Sequence, residues 1–400
     1  MAAEYKIVLS DMSTYNATNA TEVDLSNDRQ GVRWTRGNIF DRDPQGRIYS
    51  GAIEIHLDNS TGIYDPNHPG TAGLLLNQKN YIIIRAKNPA GHWHAQMVGK
   101  IDKVQPRYPH ARPATTMITA IGPAHNTDTV GTLSYPEITD IGDIVDDLET
   151  DWIGDTQDIA YAAGRFRAPP TNTTKMDYLR AVAEFTRGRL QERRSHFGMR
   201  LREPDWQITG ARNTPVLQLG GPGGIGYRDL EGLSTLDTVV NYYATDVPNG
   251  TGDTGGTEQD AEAVASESDY GHRTYSPNVD LTLVQQMTNA QTATYAGEIV
   301  REFKEPRPFV TITFQANISD AALTGAIAAD IGDRVSVMGR DGINNYSGHY
   351  FIENMTHILS EGNKHDVSYT LQTTMRWAMM VSGQGIVLNS GPALGSGTLA

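Results

Sequence analysis

Apolar and polar side chains alternate strictly through residues 51–58, with Ile53, Ile55 and Leu57 on one side and Glu54, His56 and Asp58 on the other. A period of two belongs to a strand buried on one face only. The strand stops at Asn59-Ser60-Thr61-Gly62, because Asn and Gly accept positive φ and Asn and Ser bond their own backbone. Residues 4–10 and 31–39 read as further strands, the second anchored by Trp34. Residues 81–86 (YIIIRA) form an almost continuously apolar strand, a turn at 88–91 leads into a partner over 92–104, and 115–122 alternates once more. The series predicts an all-β unit that closes, or nearly closes, into a barrel rather than leaving its edges open.

Beyond about residue 130 the period changes. Residues 136–148 carry Ile141, Ile144, Val145 and Leu148 at helical spacing, with Thr139 or Asp140 as N-cap. Residues 172–190 form a clearer helix whose buried stripe is Met176, Leu179, Val182, Ala183 and Phe185 or Thr186, and 198–201 return to a strand. Strands are expected again at 215–219 and 238–245, then a helix over 278–304 with Leu283, Met287, Tyr295, Ile299, Val300 and Phe303 inside. Four more strands follow at 309–314, 334–338, 348–356 and 366–373. The glycine-rich 249–257 reads as an exposed flexible loop, and 382–400 as an extended tail.

Two segments share one syntax. An alternator, GAIEIHL or FVTITF, precedes a strand (YIIIRA or RVSVMG), a glycine turn, a second strand (HWHAQMVGKIDKV or HYFIENMTHIL), a hinge and a third strand (TTMITAIG or DVSYTLQTT). The repetition predicts two similar β-barrels in one chain. Three such chains closed into a ring would present a pseudo-sixfold face.

A length of 400 residues exceeds what one core usually serves and suggests about two or three domains. The 40 Gly and 19 Pro suit a β protein with many turns. With 33 basic and 47 acidic residues the net charge is −14, which argues against a surface that grips duplex DNA by neutralising phosphates. It suits one that DNA passes without sticking, and it also keeps a chain soluble. Without cysteine there is no disulfide framework, thiolate metal site or cysteine nucleophile. No apolar stretch approaches the roughly 18 residues that cross a bilayer, and the N-terminus lacks a basic-then-apolar leader, so synthesis in the cytoplasm is expected.

Candidate chemistry is sparse. Residues Gly221-Pro222-Gly223-Gly224-Ile225-Gly226 fit G-x-G-x-x-G, but Pro222 and the lack of a helical pattern after it mark a loop. His92 and His94 flank Trp93 on one strand face and would hold a metal only if a third ligand such as His110 approached; they are read as exposed histidines, and no metal or cofactor is expected. Acidic residues recur at Glu137, Asp140, Asp143, Asp146, Asp147, Glu149, Asp151 and Asp155 without the glycine and spacing of a calcium loop. The basic cluster is Arg187, Arg189, Arg193, Arg194, Arg200 and Arg202. Arg187, Arg189, Arg193 and Arg194 could pair with Asp143, Asp146 and Asp147 across an interface through forked bonds, or both runs could be solvated faces. No hydrolase motif stands out, so no catalytic residue is assigned and no enzyme activity is expected.

The order WTRG, then GAIEIHLDNSTGIYDPNHP, then a strand pair with a Trp-bearing hairpin resembles the N-terminal region of siphophage minor tail proteins of the baseplate-hub type. In that family a strand ending in L-x-N runs into an x-x-G-x-(Tyr or Phe)-x-P turn, matched here by Leu57, Asn59, Gly62, Tyr64 and Pro66. The later order also is similar: ITDIGDIVDDLETDW, KMDYLRAVAEFTRGRL with GMRLREPDW, VVNYY, and GDRVSV with GHYFIENMTHIL and VSYTLQTT, to about Trp377.

The resemblance implies a mainly β fold with α+β insertions. A first tail-tube-like β-barrel spans 1–128, an α+β domain 129–208, a β-rich segment 209–276, a helical segment packing with the α+β domain 277–306, a second tube-like barrel 307–380 and the tail 381–400. It further implies a homotrimeric hub of the virion tail tip, made in the host bacterial cytoplasm. Such a hub meets a distal tail protein ring, the tape measure protein and fibre or spike proteins, and its lumen passes phage DNA without specific binding. The chain ends soon after the second barrel, so cell-wall cleavage or receptor binding is expected in another protein. The alternative class is a carbohydrate-binding or cell-wall-degrading tail-tip module that uses Trp93, Trp152 or Trp206 as a sugar platform.

Overall fold

A computed structural model describes residues 4–13, 18–39, 47–110, 112–125, 138–140, 165–167, 174–186, 189–195, 197–202, 214–234, 239–245, 259–275, 293, 296–297, 299–301, 303–306, 308–339 and 346–372. The first part contains β1 (Glu4–Ser10), β2 (Glu22–Asp24), β3 (Arg29–Ile39), β4 (Arg47–Asp58), the short helix α1 (Thr71–Leu75), β5 (Tyr81–Lys87), β6 (Trp93–Arg107) and β7 (Thr115–Ile121). They pair in the order β3-β4-β7-β6-β5-β1-β2. The alternation in β4 does what its period requires: Ile53, Ile55 and Leu57 are buried with Trp34, Ile82, Ile84 and Ile118, while Glu54 and His56 are exposed.

The middle of the chain is mixed. β8 (Ile138–Asp140) pairs with β9 (Arg165–Arg167), so Thr139 and Asp140, expected to cap a helix, lie in a strand. Residues 141–150 lie outside the described residues. The helix α2 (Lys175–Thr186) buries Met176, Leu179 and Ala183 as expected, together with Tyr178 and Ala181. Thr174 caps it, its Oγ1 accepting from the Asp177 N–H at 3.0 Å. β10 (Arg189–Glu192) and β11 (Met199–Arg202) form a hairpin.

β12 (Leu217–Leu219) and β13 (Asp229–Ser234) come next, with the glycine-rich residues 220–226 as a loop between them: the Gly220 N–H donates to the Ile225 carbonyl at 2.7 Å and a strand follows, not a helix. β14 (Tyr242–Thr245), β15 (Gln259–Glu262) and β16 (Thr274–Tyr275) make a small sheet, with α3 (Val264–Tyr270) between the last two. Tyr243 and Tyr275 from that sheet pack on Ala296, Ile299, Val300 and Phe303, a separate small core.

The last part repeats the first. β17 (Pro308–Gln315), α4 (Asp320–Ala328), β18 (Arg334–Val337), β19 (Gly348–Ser360) and β20 (His365–Gln372) follow the chain order of β4, α1, β5, β6 and β7. Their pairing, β17 with β20, β20 with β19 and β19 with β18, matches β4 with β7, β7 with β6 and β6 with β5. Even the irregularities correspond. The ladder of β6 to β7 skips Asp102 between Ile101 and Lys103, and that of β19 to β20 skips Glu353 between Ile352 and Asn354. Val310, Ile312 and Phe314 thus occupy the core positions of Ile53, Ile55 and Leu57. The helix α4, which the sequence pattern did not announce, starts at Ser319, whose Oγ accepts from the Ala322 N–H at 3.1 Å, and buries Leu323, Ala326 and Ile327.

Among the described residues, hydrogen bonding closes neither half into a barrel. β3 pairs with β4 on one edge and with β19 on the other, so hydrogen bonding passes from one half to the other and the described residues form one 13-stranded sheet. Its path ends at β13 and β2. Two cores remain distinct, one around Trp34 and Ile55 and one around Ile312 and Tyr369. Gly37 makes the seam possible: at φ +122° it lies against the backbone of Glu353 and Asn354, where a Cβ would collide. No helix among the described residues is long and apolar enough to cross a membrane.

Candidate functional site

The polar groups that no strand pattern explains gather where the two halves and the β10–β11 hairpin meet. Arg36 leaves β3 into the interior, its side chain 1% exposed, and its guanidinium bonds Asp330 Oδ1 at 2.9 Å. It also donates to the Glu192 carbonyl at 2.6 Å and to the Gln96 carbonyl at 3.4 Å. One cation therefore ties β3, β6, β10 and the turn after α4. Arg194 adds a second tie, donating to the Ile327 carbonyl at 2.9 Å and the Ala328 carbonyl at 3.2 Å, where α4 ends with unsatisfied acceptors.

Glu192 fills a cavity that glycine leaves open. Its Oε1 and Oε2 each accept from the Gly51 N–H at 3.0 Å, and Oε1 also accepts from the Ala124 N–H at 3.1 Å. A Cβ at Gly51 or Gly122 would occupy the space of this carboxyl. Burial pushes the group up to about 7, and the two backbone bonds and the Arg36 charge oppose that only in part.

Along the seam runs a buried chain of rings. Tyr5 Oη lies 2.7 Å from His365 Nδ1, and His365 Nε2 lies 2.9 Å from His357 Nδ1. Trp34 stacks on His357 with centroids 4.8 Å apart and planes 7° from parallel. His357 Nε2 has no hydrogen-bond partner among the described residues. Burial, each other's proximity and Arg36 hold His357 well below the ordinary histidine range, and burial brings His365 down to about 3. Arg36, Glu192, His357 and His365 are all buried, so this arrangement offers cohesion between parts and no reactive atom to solvent.

The expected turn motif is assembled as a unit. Asn59 is fully buried and its Oδ1 accepts from the Tyr64 N–H at 2.9 Å, while Gly62 takes φ +74° and donates its N–H to the Asn59 carbonyl at 2.9 Å. Tyr64 is buried, donates its hydroxyl to Asp28 and offers its carbonyl to Thr116 Oγ1 at 3.1 Å. Leu57 lies in the core and Pro66 is exposed.

The charges expected at an interface divide differently. Asp143, Asp146, Asp147 and Arg187 lie outside the described residues. Arg189 is in β10, Arg193 is buried with Nε donating to the Met199 carbonyl at 3.1 Å, and Arg194 reaches the end of α4. His92 is exposed and His94 Nε2 lies 3.0 Å from Asn88 Nδ2; among the described residues no group of three His, Asp or Glu is placed to hold a metal. Arg36, Glu192, Asp330, His357 and His365 were not singled out from the sequence. The one signal for them is the segment WTRG, which contains both Trp34 and Arg36.

No protein-family model matches the chain, and no curated protein sequence does. Solved structures do match. Over 93% of its length the chain aligns with 98% of the tail protein from Neisseria meningitidis MC58, at a TM-score of 0.58 and 11% identity. Over 92% it aligns with 98% of the 43 kDa tail protein of prophage MuSo2 from Shewanella oneidensis, at a TM-score of 0.54 and 14% identity. The chain therefore shares, over nearly its whole length, the fold of these two tail proteins.

Proposed function

We propose that the chain is a structural component of a phage tail, the baseplate hub at its tip. Three copies form a pseudo-sixfold ring that continues or closes the tail tube, anchors the distal tail protein ring, the tape measure protein and fibre or spike proteins, and leaves a lumen for DNA. The observation that carries this reading is the whole-length likeness in fold to tail proteins in a chain whose four-strand meander β4, β5, β6 and β7 recurs as β17, β18, β19 and β20. A duplicated half-sheet lets threefold assembly offer six similar faces to a sixfold neighbour. The buried ties at the seam support a part that stays rigid in a larger assembly. On this reading the chain is not an enzyme and resides in the virion. Mass photometry of the purified chain tests it: a trimer is expected, and a strict monomer at micromolar concentration would count against the hub.

A second reading, a carbohydrate-binding module, rests on one observation. Trp93, Asp24, Arg29 and Asn363 line an open groove of about 760 Å³, one aromatic ring beside planar polar groups, a combination that suits sugars. Trp152 and Trp206 lie outside the described residues. Retention of the chain on purified cell-wall polysaccharide would favour this module.

A further inference from the structure

Within the chain, β19 takes β3 along residues 354–360, on the edge away from β20. The counterpart of β19 in the first half is β6, and over residues 103–107 that same edge carries no strand among the described residues. The counterpart of β3 in the second half is β13, which bonds β17 on one side and ends the sheet on the other. An exposed ladder edge is a template for another strand. Among the described residues the duplication thus leaves two strand edges unfilled, of the same two kinds that meet at the seam.

We propose that β13 of one chain pairs antiparallel with residues 103–107 of β6 in a second copy, repeating between chains the β3–β19 ladder found within each chain. The proposal rests on the ring reading above and adds to it the contact and its register. Trp34 opposite His357 becomes Gly232 opposite Pro106, and Arg33 opposite Ile358 becomes Glu231 opposite Arg107. Thr35 opposite Thr356 becomes Leu233 opposite Gln105. The one pair of charges this register creates is of opposite sign. Glu231 and Arg107 are both exposed, and among the described residues neither makes an ion pair. One residue further, Tyr108, which is 58% exposed, comes beside the half-buried Leu230. Pro106 has no N–H and thins the ladder at that point, so the side-chain pairs on either side of it set the register. The contact joins unlike surfaces, as a ring requires.

The chain has no cysteine, which makes cross-linking clean. Directly opposite residues hold their Cβ atoms about 4.5–5.5 Å apart, near disulfide range. The double variant Arg107→Cys/Glu231→Cys is expected to give covalent multimers up to the full ring under mild oxidation, read on a non-reducing gel. Arg107→Cys/Leu230→Cys, one residue out of register and on the other face, is expected to give none. As an independent measurement, Glu231→Arg should weaken association about tenfold, and adding Arg107→Glu should restore most of it. A chain that is trimeric by mass photometry, yet neither cross-links in register nor responds to charge reversal, overturns this interface and leaves the ring reading standing. A chain that stays monomeric overturns both.

Discussion

Arg36 on β3 and Asp330 in the turn after α4 lie 2.9 Å apart in the interior, with side chains 1% and 8% exposed. Removing one partner of a buried pair leaves the other charged and desolvated, which costs about 3–5 kcal/mol. Asp330→Ala is therefore expected to lower the urea midpoint strongly. Arg36→Met/Asp330→Ala should recover part of the loss, since no charge is stranded. A single-variant effect under about 1 kcal/mol would show that the pair is not what joins the halves.

Glu192 makes stability depend on pH from the neutral side. Its folded value of about 7 stands above the ordinary 4.5, so between those values the folded chain holds a proton that the unfolded chain has released. The contribution is complete below about 4.5, fades as pH rises to about 7 and is constant beyond. Glu192→Gln should remove that fade, making the variant more favourable relative to the parent at pH 8 than at pH 5. An equal difference at both pH values, measured by denaturant titration, would contradict it.

His357 and His365 act in the opposite sense. Both are held below the ordinary 6.5, so the unfolded chain binds protons first, and the stability they contribute is present above 6.5 and lost as pH falls toward 3. Stability of the parent is expected to drop from pH 6.5 to pH 4, with two histidines outweighing one glutamate where the windows overlap. His357→Asn/His365→Asn should show a shallower acid limb. An unchanged slope in thermal melts across that range would remove the ring chain from the explanation.

Asn59 bonds the Tyr64 N–H from a fully buried position, so Asn59→Ala leaves a buried donor unsatisfied at about 1–3 kcal/mol. Tyr64→Phe loses only the hydroxyl bond to Asp28 and should cost less. Differential scanning fluorimetry giving the reverse order would mean that the turn is held by the tyrosine hydroxyl and not by the asparagine.

Much of the strand plan was readable from periodicity. The alternators 51–58 and 309–314 lie within β4 and β17, and the meanders after them lie where their syntax placed them. The helix α4 was missed because DAALTGAIA is short and apolar nearly all round, so it has no stripe for a helical period to show. β13 was missed because DLEGLS carries too few apolar residues, and pairing with β17 decided its state.

What the sequence determined by itself is local: which segments extend, which face of each is apolar, where turns fall, and that one meander occurs twice. Those properties depend on residues a few positions apart. That β3 would lend its second edge to β19, so that the two halves join in one hydrogen-bonded sheet, was decided only by tertiary structure. So was the convergence of Arg36, Glu192 and Asp330, which are far apart along the chain. A buried charge needs a partner, but nothing in its immediate sequence says which distant residue supplies it. That choice belongs to the packing of the halves, because only there are Arg36 and Asp330 excluded from water and brought within bonding distance.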